Sequence, residues 1–154
     1  MLEKIVIVIL ATSLPLIELN GGIPLGLAMG LEPQMTLILI ILINTIIFFP
    51  VLLALNFLYD SLFSKIDLFK IYLDKLRKRG KPYVDKYGLI GLTLFMALPT
   101  PLSGVYTGTL LCWVLNMNWK KSFFAIFLGV LINGLIVLGL SLGIITFSQS
   151  FLSL

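Results

Sequence analysis

The chain has 154 residues, 59% of them hydrophobic and only 12% charged, with a net charge of +4. A soluble domain carries about 25% charged residues, so this composition excludes an ordinary water-soluble domain and predicts a single integral membrane domain. One cysteine, Cys112, and no histidine leave no intramolecular disulfide and remove the commonest metal ligand and general base.

Charge-free stretches mark the membrane segments in chain order. Ile5–Ile17 and Leu19–Leu31, 13 residues each, are separated by Glu18 alone. This first region carries Asn20-Gly21-Gly22-Ile23-Pro24 at its centre, and such Gly and Pro clusters break helices. It has no A-x-A-like cleavage site, and Pro15 and Glu18 interrupt it, so it is expected to be retained rather than removed as a signal peptide. Pro33–Tyr59, 27 residues, exceeds the ~20 that a crossing helix needs. That helix is expected to start near Met35 and carries Asn44 and Pro50.

The connector 60–86 is basic. Between Lys65 and Lys86 lie eight Lys and Arg residues and three Asp, an excess of five against +4 for the whole chain. A nucleic-acid patch is the rival reading, but between membrane segments this cluster reads as a cytoplasmic loop, with no nucleic acid expected as partner. Within it Ser61–Arg79 is predicted to be an amphipathic helix with Leu62, Ile66, Phe69, Leu73 and Leu76 on one face, lying on the membrane surface. Gly80 and Pro82 are expected to end it.

Tyr87–Trp119, 33 residues, is the second interrupted region, with Pro99-Thr100-Pro101-Leu102-Ser103-Gly104 at its centre. Ser122–Leu154, another 33, predicts a crossing over roughly Phe123–Phe147 that contains Asn133. Two full crossings need about 40 residues, so each interrupted region is expected to be a re-entrant pair of half-helices. Charge supports this for the second: if it returns to its own side, Lys120 and Lys121 join the basic connector and Lys4 is the only cation outside. A single kinked crossing is the alternative. Only Glu3, Lys4 and Glu32 flank the first region, so charge does not decide there whether it crosses. The expected fold is an all-α membrane domain of two inverted repeats, residues 1–59 and 87–154, each a re-entrant helical hairpin followed by a transmembrane helix. They are joined by the amphipathic connector. Inverted repeats with broken helices meeting near the midplane recur among transporters. The expected location is the cell membrane, multi-pass, with connector and Lys120–Lys121 cytoplasmic and both termini outside.

Glu18 is the only charge between Ile5 and Leu31. A carboxyl buried in a membrane is expensive and marks function by default. It is expected at the C-terminal end of the first half-helix, where apolar surroundings and the dipole both favour the neutral acid, placing it to carry a proton or receive a cation. The structural alternative is that it caps broken backbone. Asn20, Gly21, Gly22 and Pro24 would form the first turn, and Pro99, Thr100, Pro101, Ser103 and Gly104 the second, with Asn20 and Thr100 as caps. The helix starts after such turns attract anions. Irregular backbone at membrane depth must be covered by protein or line a wet cavity. Tyr106 and Thr107, with Thr109, either line the site or tie helices together, as do Asn44 and Asn133. Gly26, Ala28, Gly30, Gly139 and Gly143 suit close helix contacts.

Glu18-Leu19-Asn20-Gly21-Gly22-Ile23-Pro24-Leu25-Gly26-Leu27-Ala28 resembles the first motif of the small multi-drug export family. Ala97-Leu98-Pro99-Thr100-Pro101-Leu102-Ser103-Gly104-Val105-Tyr106-Thr107-Gly108 resembles its second. The family is similar in turn to the DedA, or VTT-domain, membrane proteins. That resemblance implies two facing re-entrant hairpins, Glu18 as the acidic residue of the first, and proton-dependent transport or lipid-carrier translocation.

These observations predict a small secondary transporter, proton-coupled, exporting a small or amphipathic substrate bound between the hairpin tips. A lipid or polyprenyl-phosphate flippase or scramblase is the first alternative, and a non-transporting membrane scaffold the second. No nucleophile–base pair, metal cluster or GxxxxGK loop is visible, so an enzyme, a metal, a cofactor and ATP are not expected. The expected partners are membrane lipids, the substrate, protons and a second copy of the chain, since two crossings make a thin wall around any cavity.

Overall fold

The computed structural model describes residues 1–59, 66–100 and 104–152, with side chains to residue 147. All regular structure among these residues is helical. The elements are α1 (Leu2–Thr12), α2 (Glu18–Ala28), α3 (Pro33–Leu58), α4 (Asp67–Tyr87), α5 (Leu89–Ala97), α6 (Val105–Val114) and α7 (Trp119–Leu152). Leu62, Lys65, Pro101 and Ser103 lie outside the described residues.

Among the described residues two helices are long and apolar enough to cross a bilayer, α3 and the Trp119–Phe147 part of α7. At 1.5 Å per residue, α3 is about 39 Å long, more than the ~30 Å of hydrocarbon. Ile38, Leu42 and Ile46 of α3 and Phe124, Leu128 and Ile132 of α7 remain exposed in rows spaced by four. Soluble monomers rarely expose such continuous apolar rows, whereas lipid-facing helices require them. The two helices run antiparallel. A side chain at Gly134 would meet Leu37 and Ile41, while Phe48 and Phe49 stack on Phe123 at 5.4 and 5.2 Å.

The other apolar helices are half-length. At 9 to 11 residues each spans about 14–16 Å. The start of α1 lies at the end of α2, where Lys4 Nζ donates to the Met29 carbonyl at 2.7 Å and offsets the negative end of that helix. The α5–α6 pair likewise begins and ends on α4. Gly91 of α5 abuts the Tyr83 carbonyl, and Leu111 of α6 fills the space over Gly80.

The first break differs from expectation. It falls at Ser13–Ile17, around Pro15, and Asn20-Gly21-Gly22-Ile23-Pro24 lies inside α2. The two glycines serve close approach instead of a turn: a side chain at Gly22 would collide with Thr12 of α1, and one at Gly21 with Ile17. Pro24 is exposed, so its ring and missing N–H disturb only the outer face of α2. The second break lies between the end of α5 at Ala97 and the start of α6 at Val105, as the Pro99–Gly104 cluster predicts, with residues 101–103 of that cluster outside the described residues.

The connector helix also differs. α4 continues through Gly80 and Pro82 to Tyr87 and stops at Gly88, whose φ is +60°. Gly80 is retained for the contact with Leu111. Pro82 frees the carbonyl four residues back, and Lys78 and Pro82 are both exposed, where the Lys81–Asp85 ion pair at 2.6 Å spans the site. Leu73 and Leu76 are buried and Phe69 is partly covered, as expected, whereas Ile66 is exposed. The covered face of α4 packs on α5 and α6.

The two halves share a register of 86 residues. Gly22 lies against Ile40, and Gly108, 86 residues on, lies against Ile126. α2 and α6 each end on a left-handed residue, Gly30 (φ 77°) and Asn116 (φ 50°). The next N–H donates back in the same way, Leu31 to the Gly26 carbonyl at 3.0 Å and Met117 to the Cys112 carbonyl at 2.9 Å, closing a Schellman-type cap. Buried positions coincide too: Thr36 with Ser122, Ile40 with Ile126, Ile47 with Asn133. Exchanging α1–α2–α3 for α5–α6–α7 maps each packed pair of these helices onto a packed pair, α3–α7 onto itself.

Gly91 faces backbone that has little freedom to yield, while nothing lies within 4 Å of a side chain added at Gly139. Gly91→Ala is therefore expected to destabilise the protein by about 1–3 kcal/mol, and Gly139→Ala to leave stability unchanged or slightly raised. Thermal melting of the detergent-solubilised variants checks this.

Candidate functional site at the meeting of two helix breaks

The break between α1 and α2 delivers Glu18 to the second half of the molecule. Glu18 opens α2 with φ +43°, a left-handed conformation that costs a non-glycine residue roughly 1–2 kcal/mol. Its side chain is 4% exposed. The carboxylate occupies the space that a side chain at Gly104 would need. Its Oε1 accepts a hydrogen bond from the Tyr106 N–H at 3.3 Å, in the first turn of α6 just after the Gly104 N-cap. The helix start expected to attract an anion thus faces the carboxyl group of Glu18. Glu18 stands at the beginning of α2, where the dipole is positive, and not at the end of α1.

Two further bonds clasp the breaks together. Asn20 Nδ2 donates to the Thr100 carbonyl at 2.9 Å. The Tyr106 hydroxyl donates to the Ser13 carbonyl at 2.6 Å. Asn20 and Tyr106 are 86 residues apart, as are Glu18 and Gly104. Each half therefore sends the side chain at one equivalent position to a carbonyl in the other half's break. Glu18 meets the glycine at its own equivalent position.

Of the residues expected to act together, Glu18, Asn20, Thr100, Gly104 and Tyr106 converge here. Gly21, Gly22 and Pro24 stand in α2 as packing or exposed positions, and Pro99 is an exposed part of the second break. Thr107 turns to α4, with its hydroxyl 3.3 Å from that of Tyr72. Thr109 donates to the Val105 carbonyl one turn back at 2.6 Å. Asn44 is fully buried and donates to the Ile40 carbonyl at 2.9 Å. Among the described residues no hydrogen bond links Asn44 or Asn133 to Glu18. The side-chain oxygens of Thr12, Asn20, Asn44 and Asn133 are buried and have no partner among those residues, a costly arrangement in apolar surroundings. Sequence reasoning missed Ser13, whose carbonyl receives Tyr106. Pro15, two residues on, was the available sign of a break.

Glu18 and Gly104 should be energetically coupled. Gly104→Ala is expected to lower the melting temperature, and in a Glu18→Ala background the same change should cost less, with a coupling of at least about 1 kcal/mol. Equal costs in the two backgrounds would show that the carboxylate does not fill the glycine's space.

A family model, "Putative small multi-drug export protein", matches residues 18–136, more than three quarters of the chain, from Glu18 at the start of α2 through the second break and into α7. No curated protein and no solved structure matches. With both motifs inside the matched span, the chain belongs to the small multi-drug export family.

Proposed function

We propose that the chain is a small secondary transporter that binds its substrate where the two helix breaks meet and uses Glu18 to couple protonation to access. The observation that carries this reading is the buried carboxyl of Glu18 held between the halves, since an ionisable group at membrane depth is a functional group by default. In this reading α1–α2 and α5–α6 are re-entrant hairpins facing one another. Three features support that: their half-bilayer lengths, the meeting of each pair's outer ends, and the antiparallel course of α3 and α7. The 86-residue register supports the inverted repeat. The cations of α4 with Lys120 and Lys121 then lie on the cytoplasmic side, with both termini outside.

The mechanism follows from the contacts. An ionised Glu18 accepts from the Tyr106 N–H and holds the breaks closed. Protonation weakens that charge-assisted bond and loosens one of three ties between the halves. Asn20–Thr100 and Tyr106–Ser13 remain as neutral bonds about which the halves rock. A cationic or amphipathic substrate competes with the proton for the carboxylate. The lipid-translocating alternative has less support, because Phe95–Gly108 contains no Arg or Lys to hold a phosphate.

Uptake of ethidium, a lipophilic cation, into proteoliposomes with an acidic lumen tests the proposal. The expected result is accumulation above protein-free vesicles that collapses in Glu18→Gln, while Lys86→Gln transports as the parent does. Accumulation by Glu18→Gln equal to the parent's would remove the coupling role.

A further inference from the structure

α3, α4 and α6 enclose a second feature, far along α6 from Glu18. It is an open cavity of about 450 Å³ lined by Tyr59, Lys70, Leu73, Asp74, Arg77 and Trp113, among others. That volume is within the ~300–1,000 Å³ of small-ligand sites. Its aromatic wall is fixed. The Trp113 and Tyr59 rings lie 4.6 Å apart, and Trp113 Nε1–H donates to Asn56 Oδ1 at 2.9 Å. The opposite wall is one face of α4, where Lys70, Leu73, Asp74 and Arg77 follow at spacings of three, one and three. Lys70 reaches Asp67 at 3.3 Å, but both side chains are at least half exposed, and such surface pairs are worth little. Among the described residues Arg77 and Asp74 enter no ion pair.

We infer that this cavity holds the headgroup of an anionic phospholipid. The phosphodiester would sit between Lys70 and Arg77, the glycerol against the Trp113–Tyr59 wall, and a headgroup hydroxyl on Asp74. Charge complementarity selects this occupant. Lys75, Lys78, Arg79 and Lys81 are exposed elsewhere on α4, and such basic segments draw anionic lipids to a membrane face. Tyr and Trp are the residues favoured at headgroup depth, with an apolar body and a polar tip. The inference needs a membrane location and is independent of transport.

The chain has two tryptophans, so Trp119→Phe leaves Trp113 as the sole indole reporter. Reconstituted in phosphatidylcholine vesicles, it is titrated with brominated phosphatidylglycerol or brominated phosphatidylcholine. The expected result is saturable Trp113 quenching at a lower mole fraction of the glycerol lipid. Lys70→Gln and Arg77→Gln should each raise the half-quenching fraction about fivefold, and Lys86→Gln, outside the cavity, should not. Identical quenching by the two brominated lipids overturns the inference, and that comparison needs no cavity variant to fold. Quenching reversed by millimolar inorganic phosphate also overturns it, because the site would then serve free anions rather than lipid.

Discussion

Hydrocarbon offers no hydrogen bonds, so every backbone group freed by a helix break inside a membrane must find a partner within the protein. At the two breaks of this chain, three backbone groups find their partners in the other half. The Ser13 carbonyl receives the Tyr106 hydroxyl, the Thr100 carbonyl receives the Asn20 amide, and the Tyr106 N–H finds the Glu18 carboxylate. Neither half supplies these partners to itself. The three ties also bear on the left-handed backbone of Glu18: they over-determine the junction and hold a conformation that an isolated chain would leave.

Positions 86 residues apart are alike in place and unlike in chemistry at this junction. Equivalent positions carry Asn20 and Tyr106, which do the same job with different groups. Glu18 and Gly104 are also equivalent, and they divide one space between a carboxylate and the absence of a side chain. A pair of acids there would repel each other, and a pair of glycines would leave the junction without a titratable group. In the proposed transporter this gives the two halves matching shapes and a single ionisable group to respond to protons.

Much of this was legible in the residues. Two long apolar runs announced α3 and α7, the Pro99–Gly104 cluster marked the second break, and Glu18 stood out as a lone charge. The first break was misplaced because Gly21, Gly22 and Pro24 look like helix breakers, whereas here the glycines admit Thr12 and Ile17 and the proline faces outward. Gly80 misled in the same way, since its purpose is to admit Leu111. A sequence reports that a side chain is missing and not what fills its place. The 86-residue register was hidden because residue identity recurs at few positions, such as Gly22 and Gly108, and is lost at others, as with Ile47 and Asn133 or Gly30 and Asn116. The Ser13–Tyr106 bond had no local signal, since its acceptor is a backbone carbonyl and its partner lies 93 residues away.

The central claim is that the two breaks touch. Oxidative cross-linking in native membranes tests it most directly, with cysteines placed at Asn20 and Thr100 and the single native thiol removed by Cys112→Ser. The account predicts rapid, near-complete disulfide formation for this pair and none for a pair at Asn20 and Phe57. Failure of the first pair to cross-link under conditions that oxidise exposed thiols would contradict it.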